Sequence, residues 1–186
     1  MLAPFFPVET QRLRLRPLGP HDGDALHAME SRDDVTRWLY YDPRTPEQSA
    51  DALQRRAART HLAHEGDALE LGIELGASGD LVGTATLMYR SEGHRQGEIG
   101  FVLHPEHHGR GYAREAATEM LRLGFEELGL HRIVGRCEPR NDASARLLER
   151  LGMRREAHLL KNEWVKGEWQ SELIYAMLDR EWRARA

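Results

Sequence analysis

The stretch "HPEHHGRGYAREAATEMLRLGF", residues 104–125, sets two glycines and an arginine directly ahead of a segment whose apolar residues recur at helical spacing. The inward side of that helix reads Ala113, Ala116, Ala117, Met120, Leu121, Leu123, Gly124 and Leu128, and Gly129 stops it. Its flanks decide the fold. Ahead of it three runs alternate at period two: "ALELGIEL" (68–75), "LVGTATLMY" (81–89) and "GEIGFVL" (97–103), parted by "GASGD" and "RSEGHRQ", as in an antiparallel meander. Behind it lies a further strand, "RIVGRCEP" (132–139). A helix between two strands of one sheet makes them parallel, so a mixed sheet with one parallel pair at its middle follows.

The rest of the chain is read outward from that centre. "QRLRLRPL" (11–18) is a first strand with one buried face, and residues 21–39 form a helix broken near Ser31. In "TPEQSADALQRRAARTHLAHEG" (45–66), Thr45 with Gln48 makes a capping box and Pro46 takes the first helical position, predicting a long helix to about Gly66. "NDASARLLERLG" (141–152) is a short helix closed by Gly152, and residues 153–178 form a hairpin turning near Lys166 and Gly167. The order β-α-α-β-β-β-α-β-α-β-β predicts an α/β (α+β) fold with a mostly antiparallel, seven-stranded sheet and helices on both faces. No repeat, low-complexity tract or linker divides the 186 residues, so one domain over 1–186 is expected.

A net charge of −4 argues against nucleic acid and suits a mildly basic partner; the arginines of "RLRLR" and "RRAAR" read as solvated faces. The single cysteine, Cys137, permits no internal disulfide and lies mid-strand as inert core, which fits a reducing compartment. "MLAPFFPVET" has no signal-peptide pattern, and no stretch nears the roughly 20 apolar residues of a membrane span. A soluble, cytoplasmic protein without membrane contact is expected. His104, His107 and His108 lack a cysteine partner, and no metal is expected.

A parallel pair joined by a helix leaves a crevice at the carboxyl end of its strands, faced by the helix N-terminus with its free amides and positive dipole end. That is an anion site. Gly109 and Gly111 let main chain come close, Ala113 keeps the next turn small, and Arg110 and Arg114 add charge at the rim. Neither GxxxxGK[ST] nor GxGxxG is present, which disfavours a phosphate-handling kinase-like enzyme; on these residues alone, a glycine turn that merely starts a helix reads equally well.

The segment 97–153 resembles the GNAT acyltransferase superfamily and, within it, the RimJ/RimL-like branch of N-terminal and small-amine acetyltransferases. His108-Gly109-Arg110-Gly111-Tyr112-Ala113 fits the superfamily's pyrophosphate pattern, with histidine replacing the usual Gln or Arg. "RLRLRPL", Glu98, "EELGLHRI", Asn141 with Ser144, "LERLGM" and "NEWVKGEWQSELIYAML" extend the likeness over nearly the whole chain. The resemblance implies acetyl-CoA as cosubstrate, held in a V where the central parallel pair splays. Main chain at Phe101, Val102 and Leu103 would bond the pantetheine arm, and His108 to Ala113 the pyrophosphate. Asn141, a helix cap in its own right, would add a bond to the cofactor arm. Ser144 would assist the leaving thiolate, since Leu148 replaces the tyrosine acid of many members.

An amine mostly protonated at pH 7 needs a carboxylate base. Glu98 and Glu163 both qualify by resemblance; each also reads as an ordinary strand charge, and the choice between them stays open. The acceptor would be a primary amine: a protein N-terminus, such as a ribosomal protein's, or a small molecule such as a polyamine or aminoglycoside. Dimers are common in the branch, so a homodimer is one assembly to expect. A non-catalytic acyl-CoA sensor is the alternative.

Overall fold

A computed structural model describes residues 1–185 of the chain. Eight strands form one sheet in the order β1-β2-β3-β4-β5-β6-β8-β7. They are β1 (Val8–Glu9), β2 (Leu13–Pro17), β3 (Ala68–Leu75), β4 (Leu81–Ser91), β5 (Gln96–Leu103), β6 (Arg132–Cys137), β7 (Arg154–Val165) and β8 (Glu168–Leu178). Every adjacent pair is antiparallel except β5 with β6. The strand beyond the expected seven is β1, whose two residues pair with Arg14 and Leu15.

The α-helices are α1 (Gly23–Glu30), α2 (Asp33–Thr36), α3 (Pro46–Ala57), α4 (Tyr112–Arg122), α5 (Asp142–Arg150) and α6 (Asp179–Arg183). The break expected near Ser31 falls between α1 and α2. The Thr45 hydroxyl caps α3, with Gln48 returning the bond. That helix stops at Ala57 instead of reaching Gly66. Leu62 exchanges both backbone bonds with Leu2 and is buried, and the Arg59 carbonyl accepts from Glu70, so tertiary pairing overrides helix propensity there. Past the hairpin α6 adds a turn that seats Trp182 on Phe125, ring centroids 5.9 Å apart.

Side chains alternate across the sheet and divide the core. Leu13, Leu15, Leu71, Ile73, Leu87, Ile99, Ile133 and Tyr175 join the large cluster that includes α4 through Ala116, Ala117, Met120 and Leu121. Leu26, Met29 and Leu53 of α1 and α3 form a smaller cluster with Leu18 and Val35. Beneath α1 and α3 lies a charged layer. Glu30, 1% exposed, accepts from Arg44 and Arg56, and Arg56 also binds Glu70 at 2.6 Å and the Thr84 hydroxyl at 3.1 Å. Burial disfavours the Arg56 charge, but Glu70 and Glu30 outweigh it and raise the guanidinium's pKa. "RRAAR" is thus no simple solvated face, and Arg16 of "RLRLR", bound to Asp22 and Glu74, is not one either.

Candidate active site

The parallel ladder between β5 and β6 runs only from Gln96 with Arg132 to Ile99 with Gly135. Beyond it β5 continues to Leu103 bonded to β4 alone, and β6 to Cys137 bonded to β8 alone, so the two diverge as a V. Gly135 lies at the apex because a Cβ there would come 2.4 Å from Leu148 Cδ2. Leu148, 1% exposed, thereby fastens α5 to the apex.

The open edge of β5 is narrower than the sequence suggests. The His104 amide donates to Val82 in β4, so alternation turns Val102's polar groups toward β4 and those of Phe101 and Leu103 toward the V. A Cβ on Gly83 would sit 2.3 Å from the Val102 carbonyl, consistent with that direction. Val102, expected to offer main chain to a pantetheine arm, instead contributes its side chain to the α1–α3 cluster. The His108 ring, expected in the pyrophosphate loop, turns back so that Nε2 lies 3.0 Å from the Leu103 carbonyl oxygen.

Gly109 (φ +75°) and Gly111 (φ +82°) shape the loop ahead of α4 in the left-handed region, where glycine is unstrained. A Cβ on Gly109 would meet nothing within 4 Å, so the loop lies open on that side. Among the described residues, no protein acceptor bonds the amides of Gly109, Arg110 or Gly111. Those of Tyr112 and Ala113, in the first turn, have no intrahelical partner. Donors free of protein partners, an open approach and Arg110 and Arg114 exposed at the rim fit a diphosphate. On α5 the Asn141 side chain caps the helix, accepting from the Ser144 amide at 3.2 Å.

The carboxylates gather on the sheet face opposite α4. Glu98, 8% exposed, shares one oxygen between Arg90 at 3.0 Å and Arg136 at 3.2 Å. Arg136 reaches on to Glu172 at 3.3 Å, and Asn162 donates to the same Glu172 oxygen at 3.4 Å. Glu172 is the functional candidate that the sequence reading missed. Burial raises its pKa; Arg136 opposes the rise, and the charges of Glu163 and Glu98 add to it. Glu163 accepts a 2.6 Å bond from the Tyr40 hydroxyl, whose pKa is raised by burial and by that bond. The structure thus couples Glu98 to Glu172 through Arg136 and sets Glu163 close enough for its charge to be felt at Glu172 and Arg136. Ser144 stands apart on the α5 side, without a hydrogen bond to them among the described residues.

The end of the β7–β8 hairpin faces residues 36–42. Lys166 Nζ donates to the Thr36 carbonyl at 2.7 Å, and a cavity of about 450 Å³ lined by Asp33, Asp42, Lys166 and Glu168 adjoins the contact. Trp164 and Trp169 form an exposed cross-strand pair, 5.4 Å between centroids, beside Glu163. Neither is core. A second cavity, about 360 Å³, lies beside Arg59 and Arg90 and away from the α4 mouth. Burial pushes the Cys137 thiol up to about 11, with Glu138 adding, which fits an inert thiol. Among the described residues no group of three or more His, Cys, Asp or Glu side chains is arranged to hold a metal, and no helix is long and apolar enough to cross a membrane.

A splayed parallel pair, with an open glycine loop at the mouth of the helix that joins it, defines a GNAT fold, and the family match agrees. Residues 12–154 match the acetyltransferase (GNAT) domain, and the chain belongs to that family. It is 32% identical to the uncharacterized N-acetyltransferase YnaD of Bacillus subtilis (strain 168), over 94% of this chain and 98% of the relative. It is 26% identical to a spermidine N(1)-acetyltransferase of Vibrio cholerae, over 86% and 88%. A GNAT-family acetyltransferase from Bacillus anthracis, 31% identical, superposes with a TM-score of 0.84 over 95% of this chain and all (100%) of that one. The protein is accordingly an N-acetyltransferase of the GNAT family, whose members use acetyl-CoA.

Proposed function

We propose that residues 1–186 act as one domain of the RimJ/RimL-like branch, moving the acetyl group of acetyl-CoA to a primary amine by direct attack in a ternary complex. The observation that carries this is the loss of the β5–β6 ladder beyond Ile99 and Gly135, beside a loop in which, among the described residues, no protein acceptor bonds the Gly109, Arg110 or Gly111 amides. The loop from His108 to Ala113 holds the diphosphate, and Phe101 with the Leu103 amide bonds the pantetheine arm. The amine's nitrogen forms a bond to the thioester carbonyl carbon as the carbon–sulfur bond breaks. The amine proton passes, directly or through water, to a carboxylate among Glu98, Glu163 and Glu172, and Ser144 hydrogen-bonds the departing sulfur. Glu172 joins that set because a buried carboxylate of raised pKa is the stronger proton acceptor.

The acceptor is proposed to be a peptide N-terminus or a small amine. The acidic surroundings of the hairpin cleft and the likeness to a spermidine acetyltransferase support a cationic molecule. The proposed location is the cytoplasm, which supplies the thioester. The test incubates the protein with acetyl-CoA and a panel of amines and peptide N-termini while free thiol is followed. Amine-dependent thiol release that grows with pH is expected, and whichever of Glu98→Gln, Glu163→Gln or Glu172→Gln abolishes the rise identifies the base. Calorimetric binding of acetyl-CoA without amine-dependent release would refute turnover and make the protein an acyl-CoA sensor.

A further inference from the structure

The mouth of α4 is assembled from two distant parts of the chain. Arg12 Nη1 donates to the Arg110 carbonyl at 2.9 Å, across 98 residues of sequence. The same guanidinium binds Glu115 through Nε at 2.8 Å and Nη2 at 2.7 Å, and stands 4.8 Å from the centre of the Tyr112 ring. The other Glu115 oxygen accepts from the Arg12 amide at 2.7 Å and the Thr10 hydroxyl at 2.6 Å. We propose that Arg12 is a positioning residue for the diphosphate-bearing cosubstrate, aiming the Gly111 amide outward and withdrawing the Glu115 carboxylate from the anion's place. This rests on the reading of the loop as a diphosphate site.

Two physical steps lead there. The Arg110 carbonyl and the Gly111 amide belong to one planar trans peptide and point in opposite directions. Tying the carbonyl down to Arg12 therefore turns that amide away from β2 and fixes it. Glu115 stands in the first turn of α4, where a carboxylate competes with any bound anion for the positive end of the helix. Four donor groups from Thr10 and Arg12 occupy it instead. Burial works against its charge, but these hydrogen bonds outweigh burial and hold the carboxyl below its ordinary pKa. A Cβ on Gly111 would lie 3.3 Å from Arg12 Nη2, so the glycine leaves room for the guanidinium as well as for the left-handed turn.

The test compares CoA with pantetheine, which lacks the diphosphate, by calorimetry on the parent and on Arg12→Gln, with folding checked by circular dichroism. CoA affinity is expected to fall about tenfold or more and pantetheine affinity to change less than about twofold, the scale of one lost charge-assisted contact. In steady state, KM for acetyl-CoA rises while kcat stays within about twofold, since the contact is made equally in ground and transition states. Adding Glu115→Gln to Arg12→Gln restores part of the loss, because the unmasked carboxylate is gone. If Arg12→Gln does not fold, Arg12→Lys carries the test: it keeps the charge but cannot span Arg110 and Glu115 together. Unchanged CoA affinity in the folded variant, or equal losses for CoA and pantetheine, overturns the role of Arg12 alone. A parent that binds CoA no more tightly than pantetheine overturns the diphosphate reading, and this proposal with it.

Discussion

Gly135→Ala probes the apex of the V. The new Cβ would lie 2.4 Å from Leu148 Cδ2, 3.3 Å from Cδ1 and 3.5 Å from Cγ, and Leu148 is 1% exposed, so the leucine cannot move aside into solvent. Overpacking of this kind costs about 1–3 kcal/mol, while the stiffer unfolded chain returns about 0.4–1 kcal/mol. A net loss of about 1–2 kcal/mol is expected in urea unfolding at pH 7, or roughly 2–4 °C in Tm per kcal/mol for a domain of this size. Leu148→Ala alone empties the site and costs about 2–5 kcal/mol. Together the two changes relieve each other, so the double variant should be more stable than the sum by about 1 kcal/mol. Leu148 is one helical turn from Ser144, so Gly135→Ala should also lower turnover by pushing α5 outward. Stability within about 0.5 kcal/mol of the parent, or strict additivity, would refute the claim that close packing of α5 requires a glycine there.

Other outcomes follow from the same geometry. Gly109→Trp, with nothing within 4 Å of its Cβ, should keep the fold at a strain of about 1–2 kcal/mol and abolish CoA binding; calorimetry showing parental affinity would end the loop assignment. Ser144→Ala should reduce turnover more than CoA affinity, and equal rates would remove its role. Arg56→Met leaves Glu30 and Glu70 buried without their shared cation and should cost about 3–5 kcal/mol in urea unfolding; a loss below about 1 kcal/mol would contradict the charged layer. The Glu172 pKa is raised in the folded state, so the native protein holds that proton over a range where the unfolded chain has released it, and its contribution to stability falls as pH rises. Glu172→Gln should therefore gain stability relative to the parent between pH 4 and pH 8, which unfolding midpoints at the two pH values would check.

The sequence made some features plain because local chemistry forces them. Lys166 and Gly167 both take positive φ at the hairpin tip, and Thr45, Pro46 and Gln48 start α3 where the capping box predicts. Alternation in the meander located the strands and hence the crossover. What stayed hidden depends on contacts between distant residues. Glu172 lies in a hairpin whose register shifts between Leu159 and Glu163, so periodicity could not say which face it shares with Glu98. Arg12 reads as one more exposed strand arginine until β2 is laid beside α4. The end of α3 was set by Leu2, some sixty residues upstream of Leu62 in the chain, and no local signal announces it.

The divergence of β5 from β6 also bears on how the sheet breathes. Amides at the centre of a sheet are ordinarily the slowest to exchange with solvent deuterium. Among the described residues, Phe101 and Leu103 have no strand partner across the V, so their protons should exchange like those of a sheet margin while Ile99, two residues before Phe101, stays protected. A cosubstrate arm lying along that edge would act as the missing strand and slow both protons, making deuterium uptake at these two amides a label-free gauge of occupancy.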